Sequence, residues 1–543
     1  MVNFNAEFSR IAGAAAVLLL AACGNSSAPV GPVIEGACAP GAGLLEIQGV
    51  VASADAKSYL PIAFDVAPGT GRIELAYSWA EQAGPPSSPL TATTLDLGLW
   101  GPGGYREPEQ FRGWSGSRQG RIDQDKPPVF IEAAAADRGY LPGPIAPGRW
   151  YAELGIAAVS PQGANWTLQV QCKAAGGGRP AVDPVDPAHV ANNAAGWYHG
   201  DFHMHGFHSQ STAPDWPDFI AQSRAAQLDF LMITEYVTGR HWDTLGAVAR
   251  AHPDLILWPG REIISYFGHV NTHGETPALF EYRHGFEDVN IGQIQQQAKA
   301  AGALFQVNHP TIFPGPVFQN LCRGCEFELG DQIDWGQVDT IEVLTGPVLA
   351  TGDDVGLPIP GQIENPFMQA AIDLWEEQLT AGHRITAVSG SDSKGIDAPE
   401  ERARKGYGSS TTAVFAQQLS RPALRAGIAG GAAYIRTRGV AASPEVLFEI
   451  ETADGQHGIY GATVNADNAT LRSTVVGGLG QQLRYIANGE QVLTVPILSD
   501  PFVHEQAATR LPQEGPLGSF WRIEVADQQS RTVIGNPVFL RAP

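Results

Sequence analysis

Two histidines two positions apart, His203 and His205, sit in the run WYHGDFHMHGFHS at residues 197–209. Residues so spaced in a strand face one side, so both imidazoles project together. Imidazole is the commonest metal donor, and further donors arriving from other strands would close a site for Zn, Mn or Fe. Such donors recur along the chain. Where successive apolar runs give out, the next residues are Glu235 and Tyr236, Glu262, His309, Glu342 and Asp392. A single strand often ends in something polar, and a lone pair of histidines can be hydrogen-bonded core. A whole series of donor-bearing strand ends predicts convergence on one rim.

The elements that must carry these residues alternate. Apolar runs LDFLMIT, LILWPGRE, ALFQVNHP, VDTIEVLTG and HRITAVSGSDS are interleaved with segments of helical period, HWDTLGAVARAH, IGQIQQQAKAAG and MQAAIDLWEEQLTAG. This predicts a parallel sheet or barrel over residues 196–442, with its site at the C-terminal ends of the strands. Residues 44–173 instead show short alternating stretches such as GRIELAYSW, LDLGLW and NWTLQVQC between Pro/Gly turns, which predicts a β-sandwich. Trp100, Trp114 and Trp150 could form a carbohydrate platform on it or belong to its core. Residues 174–195 read as a linker with nothing to pack, and 24–43 as a flexible tether. Residues 443–543 return to alternation and predict a second β-sandwich, with Asn488-Gly489-Glu490 as a hairpin turn.

At 543 residues the chain exceeds one hydrophobic core. With 34 Lys and Arg against 56 Asp and Glu, the formal net charge of −22 supplies no basic stripe for phosphates and excludes a nucleic-acid partner. A small-molecule substrate fits better. Arg10 precedes an apolar run at residues 11–22 that is too short to span a bilayer and suits a signal segment, 1–23. It ends in LAAC followed by GNSS, which resembles a bacterial lipobox. That resemblance implies lipidation of Cys23 and an exported, membrane-anchored lipoprotein facing the periplasm; a plain cleaved signal is the alternative. In an oxidising compartment Cys38 and Cys172, which bracket the first sandwich, are disulfide candidates. Cys322 and Cys325 form CRGC. With no second CxxC pair, a loop-stapling disulfide is expected there rather than half a zinc site.

Taken in order, DFHMHGFHS, FLMITEYV, LWPGREIISYFGHVNTHG, QVNHP and ITAVSGSDSKG resemble the motifs of the PHP (polymerase and histidinol phosphatase) superfamily, and more narrowly the CehA/McbA-like metallohydrolases. The closing TVIGNPVFL resembles the end of their C-terminal β domain. The resemblance implies a distorted (β/α)7 barrel flanked by the two β-sandwich domains, and metal-dependent hydrolysis of phosphoesters or carbamate esters. It maps one metal site to His203, His205, Glu262 and Asp392, and a second to Glu262 as bridge with His269 and His309. A third site fails to transfer, because its positions read Gln210, Tyr236 and Lys394. The expectation is a binuclear centre with two divalent ions (Zn, Mn or Fe), Lys394 standing as a fixed charge in place of a third. Lys394 or Tyr236 would then stabilise developing charge.

Around these, Asp201 shares the parity of His203 and His205 and is expected to orient a ligand imidazole or cap a turn. His208 and Asn308 lie beside ligands, and residues 394–409 read as a lid. Ser391-x-x-Lys394 fits the pattern of penicillin-recognising serine hydrolases, but neither Ser-Asp-Asn nor Lys-Thr-Gly occurs in the chain. The reading favoured is a hydrolase of a small ester, amide or carbamate; the alternatives are a PHP-type phosphoesterase and a non-catalytic metal-containing binding lipoprotein.

Overall fold

The structure, a computed structural model, describes residues 31–86, 88–117, 127–210, 213–274, 276–278, 281–318, 320–396, 398–512 and 515–543. The signal segment and Cys23 lie outside the described residues. No helix among the described residues is long and apolar enough to cross a membrane.

The N-terminal part packs a five-stranded sheet on a four-stranded one. Strict alternation makes this possible: in Arg72–Glu81 every second residue is buried, so Ile73, Leu75, Tyr77 and Trp79 face Ile62, Phe64, Leu97 and Leu154 across the layer. Trp100, Trp114 and Trp150 are all buried, so none offers a carbohydrate platform. The tether expected over 24–43 is corrected at its end, because Val33–Cys38 is a strand that pairs with Ser58–Val66. A disulfide joins Cys38 to Cys172 on the strand Ala164–Lys173.

This sandwich is docked on the central unit through a buried polar knot. The Glu153 carboxylate, fully buried, accepts the hydroxyls of Tyr105 and Tyr282 at 2.5 and 2.6 Å and the Trp100 indole N–H at 3.2 Å. Arg283 lies over the Trp100 and Tyr105 rings, 4.2 and 4.4 Å from their centroids. The linker also packs: Asp183 pairs with Arg250 at 2.6 Å, Val185 is buried, and Val190–Asn192 pairs with Leu419–Ser420.

The central unit is one mixed sheet. Gly196–Met204, Phe230–Tyr236 and Ile256–Ser265 run parallel, and so do Leu304–Val307, Thr340–Thr345 and Thr386–Gly390. Between the two sets Gly268–His273 is antiparallel to both neighbours, which corrects the all-parallel expectation. The physical reason is the connection: two residues, Tyr266 and Phe267, can make a hairpin but cannot make a crossover. The sheet curls until the chain beyond Thr386–Gly390 meets the first strand, where Asp392 N–H donates to His203 O at 2.9 Å and His205 N–H to Ser393 O at 3.0 Å. That short contact, with a bridge between Met204 and Ser393, stands where a regular barrel would have a full strand pair.

Helices cover this sheet where the periodicity placed them. Met368–Ala381 buries Met368, Ala371, Ile372, Trp375 and Leu379 along one face. Ile291–Ala300 starts from a capping box of Asn290 and Gln293. The lid segment contains a helix, Pro399–Lys405, held by the Arg404 to Asp354 pair, and Tyr407 just beyond it is buried.

The C-terminal strands do not form a separate body. Arg531–Gly535 pairs with Ala433–Arg436, so one of their layers extends the central sheet. The facing layer is a four-stranded sheet, and Phe448, Ile450, Leu471, Tyr485 and Ile523 fill the space between. Asn488 and Gly489, both at positive φ, turn the hairpin predicted there.

Candidate metal centre

Three strands and the residues just beyond them bring His203, His205, Glu262 and Asp392 to one point. Their donor atoms all lie within 4.8 Å of one another. His203 and His205 Nε2 are each 3.3 Å from Glu262 Oε2, and their distances to Asp392 Oδ1 are 3.6 and 2.9 Å. Four ligands about 2.05 Å from a tetrahedral ion would be ~3.3 Å apart, so these edges suit a shared cation. The hydrogen-bond inventory points the same way: His203 Nε2, His205 Nε2 and Glu262 Oε2 are buried and have no hydrogen-bond partner. Leaving three such atoms unsatisfied together is costly unless something else binds them.

The other oxygen of Glu262 faces a second pair of imidazoles. His269 Nδ1 is 3.0 Å and His309 Nε2 3.5 Å from Glu262 Oε1, and Asn308 Nδ2 donates to the same atom at 3.4 Å. One carboxylate therefore lies between two donor groups, the arrangement of a bridging ligand. Two of the six candidate donors, His309 at φ 27 and Asp392 at φ 48, hold left-handed backbone that β-carbon-bearing residues rarely adopt. Such strain, about 1–3 kcal/mol per residue, is characteristic of functional sites.

Each imidazole of the first group is turned by its other nitrogen. His203 Nδ1–H donates to Glu342 Oε2 at 3.1 Å, and the same oxygen accepts the His309 N–H at 3.1 Å. His205 Nδ1–H donates to Ser209 Oγ at 3.2 Å, and Ser209 in turn donates to Glu235. Both tautomers leave Nε2 as a lone pair aimed at Glu262 and Asp392. Sequence reasoning placed Glu342 at a strand end without giving it this role, and expected Asp201 to orient an imidazole or to cap a turn. Glu342 is the acid that meets the imidazole, and Asp201 meets main chain. Asp201 accepts three backbone amides, from His203, Ser391 and Gly408, at 3.1, 3.0 and 2.9 Å, and so ties the ligand strand to its neighbours through the main chain. Burial pushes its pKa up to about 6 against those hydrogen bonds.

Lys394 Nζ donates to Asp392 Oδ1 at 2.6 Å and lies 5.4 Å from the centre of the Tyr236 ring, which is itself 4.3 Å from the His205 ring. The charge balance is coherent. Burial opposes an imidazolium at His203, but with no cation between them Glu262, Glu342 and Asp392 hold its pKa well above the ordinary value, and a bound cation would take the place of the Nε2 proton. Burial opposes ionisation of Asp392 too, and Lys394 with His203 and His205 keeps its pKa well below the usual carboxylate range. The Asp392 and Lys394 side chains keep 29 and 25 % of their surface exposed against 0–6 % for the other ligands, so the centre opens to solvent at this edge.

His208 is not brought to the ligands. It is buried between the rings of Phe207 and Trp216, and burial together with Arg240 and Arg138 pushes its pKa down to about 3. Cys322 and Cys325 form a disulfide, so Cys325, although its sulfur lies among the donors of His269 and His309, carries no free thiolate.

Replacing Glu342 with Gln keeps an acceptor for the His203 Nδ1–H but removes the charge behind the ring. Affinity for the first ion is expected to fall by about 10- to 100-fold, measured by competition with a chelating dye.

No protein-family model matches the chain, and no curated protein matches it. Among solved structures it is similar to a two-domain protein from Bacteroides vulgatus containing a predicted PHP-like metal-dependent phosphoesterase, at 18% identity and TM-score 0.34 over 67% of this chain and 100% of that one. It is also similar to a protein from Bifidobacterium adolescentis provisionally assigned as a metal-dependent phosphoesterase, at 13% identity and TM-score 0.26 over 45% of this chain and 97% of that one. At these values neither likeness carries a function across.

Proposed function

We propose that this chain is a metal-dependent hydrolase of the PHP superfamily, of the CehA/McbA-like kind on its distorted barrel, acting on a small ester, amide or carbamate with two divalent ions (Zn, Mn or Fe). The observation that carries this reading is the convergence of buried, partnerless donors on one oxygen of Glu262, with a second pair of imidazoles on its other oxygen. Ions held there would supply Lewis acidity to the scissile carbonyl and bring the pKa of water toward neutrality.

The chain's own groups do the rest. Glu342 and Ser209 hold the first two imidazoles in the ligating tautomer. Lys394 and Tyr236 line the open edge, where a substrate must enter. Burial disfavours the Lys394 ammonium, but Asp392, Tyr236 and Glu262 raise its pKa, so it holds its proton and acts as a fixed charge beside the developing oxyanion. Removing that charge with Lys394→Met is expected to lower kcat about 100-fold with a smaller change in KM, measured by steady-state kinetics with the ions saturating. A neutral substrate is favoured over a phosphoester because Arg323 is committed to Asp96 and Lys394 shares its charge with Asp392, which suits one developing oxyanion better than a dianionic phosphoryl group.

The test is a panel of nitrophenyl esters, naphthyl carbamates and nitrophenyl phosphates with added Mn, Zn or Fe, beside a His203→Ala control. Turnover of esters or carbamates that His203→Ala abolishes supports the reading. Turnover of the phosphates alone transfers it to a PHP-type phosphoesterase, and no turnover with any metal leaves a metal-containing binding protein.

We also place the chain outside the cytoplasm, as a lipoprotein anchored at Cys23 and facing the periplasm. Its two disulfides support an oxidising compartment. Incorporation of labelled fatty acid in cells, lost in Cys23→Ala, is the expected result.

A further inference from the structure

We infer that the disulfide-stapled CRGC loop at residues 322–325, clamped by the N-terminal sandwich, is the positioning device for the second ion, so that the sandwich is part of the metal centre. This rests on the two-ion reading above.

The loop touches both imidazoles of the second group on their outward nitrogens. His269 Nε2–H donates to Arg323 O at 3.4 Å, and His309 Nδ1–H donates to Cys325 O at 3.3 Å. Once an ion takes the inner nitrogen of each ring, these carbonyls hold the proton on the outer one. With its proton on Nε2, His269 presents the Nδ1 lone pair to Glu262; with its proton on Nδ1, His309 presents the Nε2 lone pair to the same oxygen, at 3.0 and 3.5 Å respectively. The donors of the two rings are opposite nitrogens, and two carbonyls only two residues apart set both of them.

Holding both carbonyls in register requires an unusual backbone. Arg323 is at φ 33 and Gly324 at φ 81, and a Cβ at Gly324 would lie 2.1 Å from Tyr266 O, so only glycine lets the loop lie flat against the hairpin that carries His269. The Cys322–Cys325 disulfide closes the loop on itself. The sandwich closes it from outside. Asp96, fully buried, accepts Arg323 Nε–H at 3.1 Å and the Tyr266 hydroxyl at 3.0 Å, and Ser117 Oγ accepts a second guanidinium N–H at 2.5 Å. Tyr59 of the sandwich stacks on Tyr266 with ring centres 5.0 Å apart. Asp96 thus grips both the loop and the hairpin turn three residues before His269. The side chains that orient His203 and His205, Glu342 and Ser209, belong to the central unit; the sandwich reaches this group only at one remove among the described residues, where Arg138 donates to the Ser209 carbonyl.

The test is Mn(II) binding to the full chain, with stoichiometry by equilibrium dialysis and the electron paramagnetic resonance spectrum recorded at two equivalents. The variants are Asp96→Asn, Arg323→Gln and the double replacement Cys322→Ser with Cys325→Ser. Both cysteines are changed because freeing Cys325 alone would add a thiolate among the donors of His269 and His309. Arg323→Gln keeps both loop carbonyls and alters a side chain that is 30 % exposed, so it reads the clamp even if Asp96→Asn fails to fold. The wild type is expected to take two ions with a spin-coupled signal. The variants should keep the first ion at wild-type affinity, bind the second at least about 10-fold more weakly, and show the six-line mononuclear signal instead. Two ions bound with unchanged affinity in the variants overturns the role of the loop while leaving the binuclear reading intact. Equal loss of both ions also overturns it, and a wild type that binds only one ion overturns both.

Discussion

Glu262→Gln is expected to abolish binding of both ions at once, and with them turnover, by on the order of 10³-fold or more. Its two oxygens face the two groups of donors: Oε2 is 3.3 Å from both His203 and His205 Nε2, while Oε1 is 3.0 Å from His269 Nδ1 and 3.5 Å from His309 Nε2. Gln matches the shape, so the packing survives, but it replaces one ligating oxygen with an amide nitrogen that has no lone pair to give. It also removes the charge that, against the cost of burial, His203, His205 and His269 hold ionised. Metal analysis should return less than one ion per chain. Retention of one ion at wild-type affinity would show that the two groups do not share this carboxylate. His269→Ala, by contrast, touches only the Oε1 side and should leave the first ion in place.

Gly390→Ala is expected to destabilise the whole central unit by about 3 kcal/mol and to weaken the first ion with it. A Cβ at this position would lie 2.3 Å from His203 Cβ, 2.6 Å from Glu342 Oε1 and 3.0 Å from His203 N. None of these can yield cheaply. His203 is fixed at both ends of its peptide, by Asp201 on its N–H and by the Asp392 N–H on its carbonyl, and Glu342 is held by two hydrogen bonds. Glycine here is what allows the strand ending in Gly390 to approach the ligand strand closely enough for Asp392 to reach His205. Urea denaturation of the metal-free protein measures the cost, and Gly196→Ala, where a Cβ meets nothing within 4 Å, is the control expected to change little.

The donors that the fold brings to Glu262 were legible in part from local patterns and in part, as for His269, only from the resemblance of the motifs. Period-2 spacing puts His203 and His205 on one face, and the apolar runs ending at Glu262, His309 and Asp392 mark strands whose ends share a rim. What orients those ligands was not legible. Glu342 and Asp201 are both acids beside the motifs, and only the curl of the sheet decides that Glu342 meets an imidazole while Asp201 meets three amides. The hairpin that makes Gly268–His273 antiparallel was likewise hidden, since LWPGREIISYFGHVNTHG carries no strong turn signal at Tyr266 and Phe267.

By itself, the sequence determined which donor residues stand near strand ends, that strands and helices alternate through the middle of the chain, and that alternating β segments flank it. These follow from periodicity and residue chemistry, which act over a few positions. The tertiary structure alone decided how the pieces depend on one another. It set Asp96 against Arg323 across 227 residues, brought the carbonyls of CRGC onto His269 and His309, and joined the C-terminal strands to the central sheet. Each of these pairs groups far apart in the chain, and such contacts leave no local trace. Their energies come from removing partnered polar groups from water together, which only the folded chain can do.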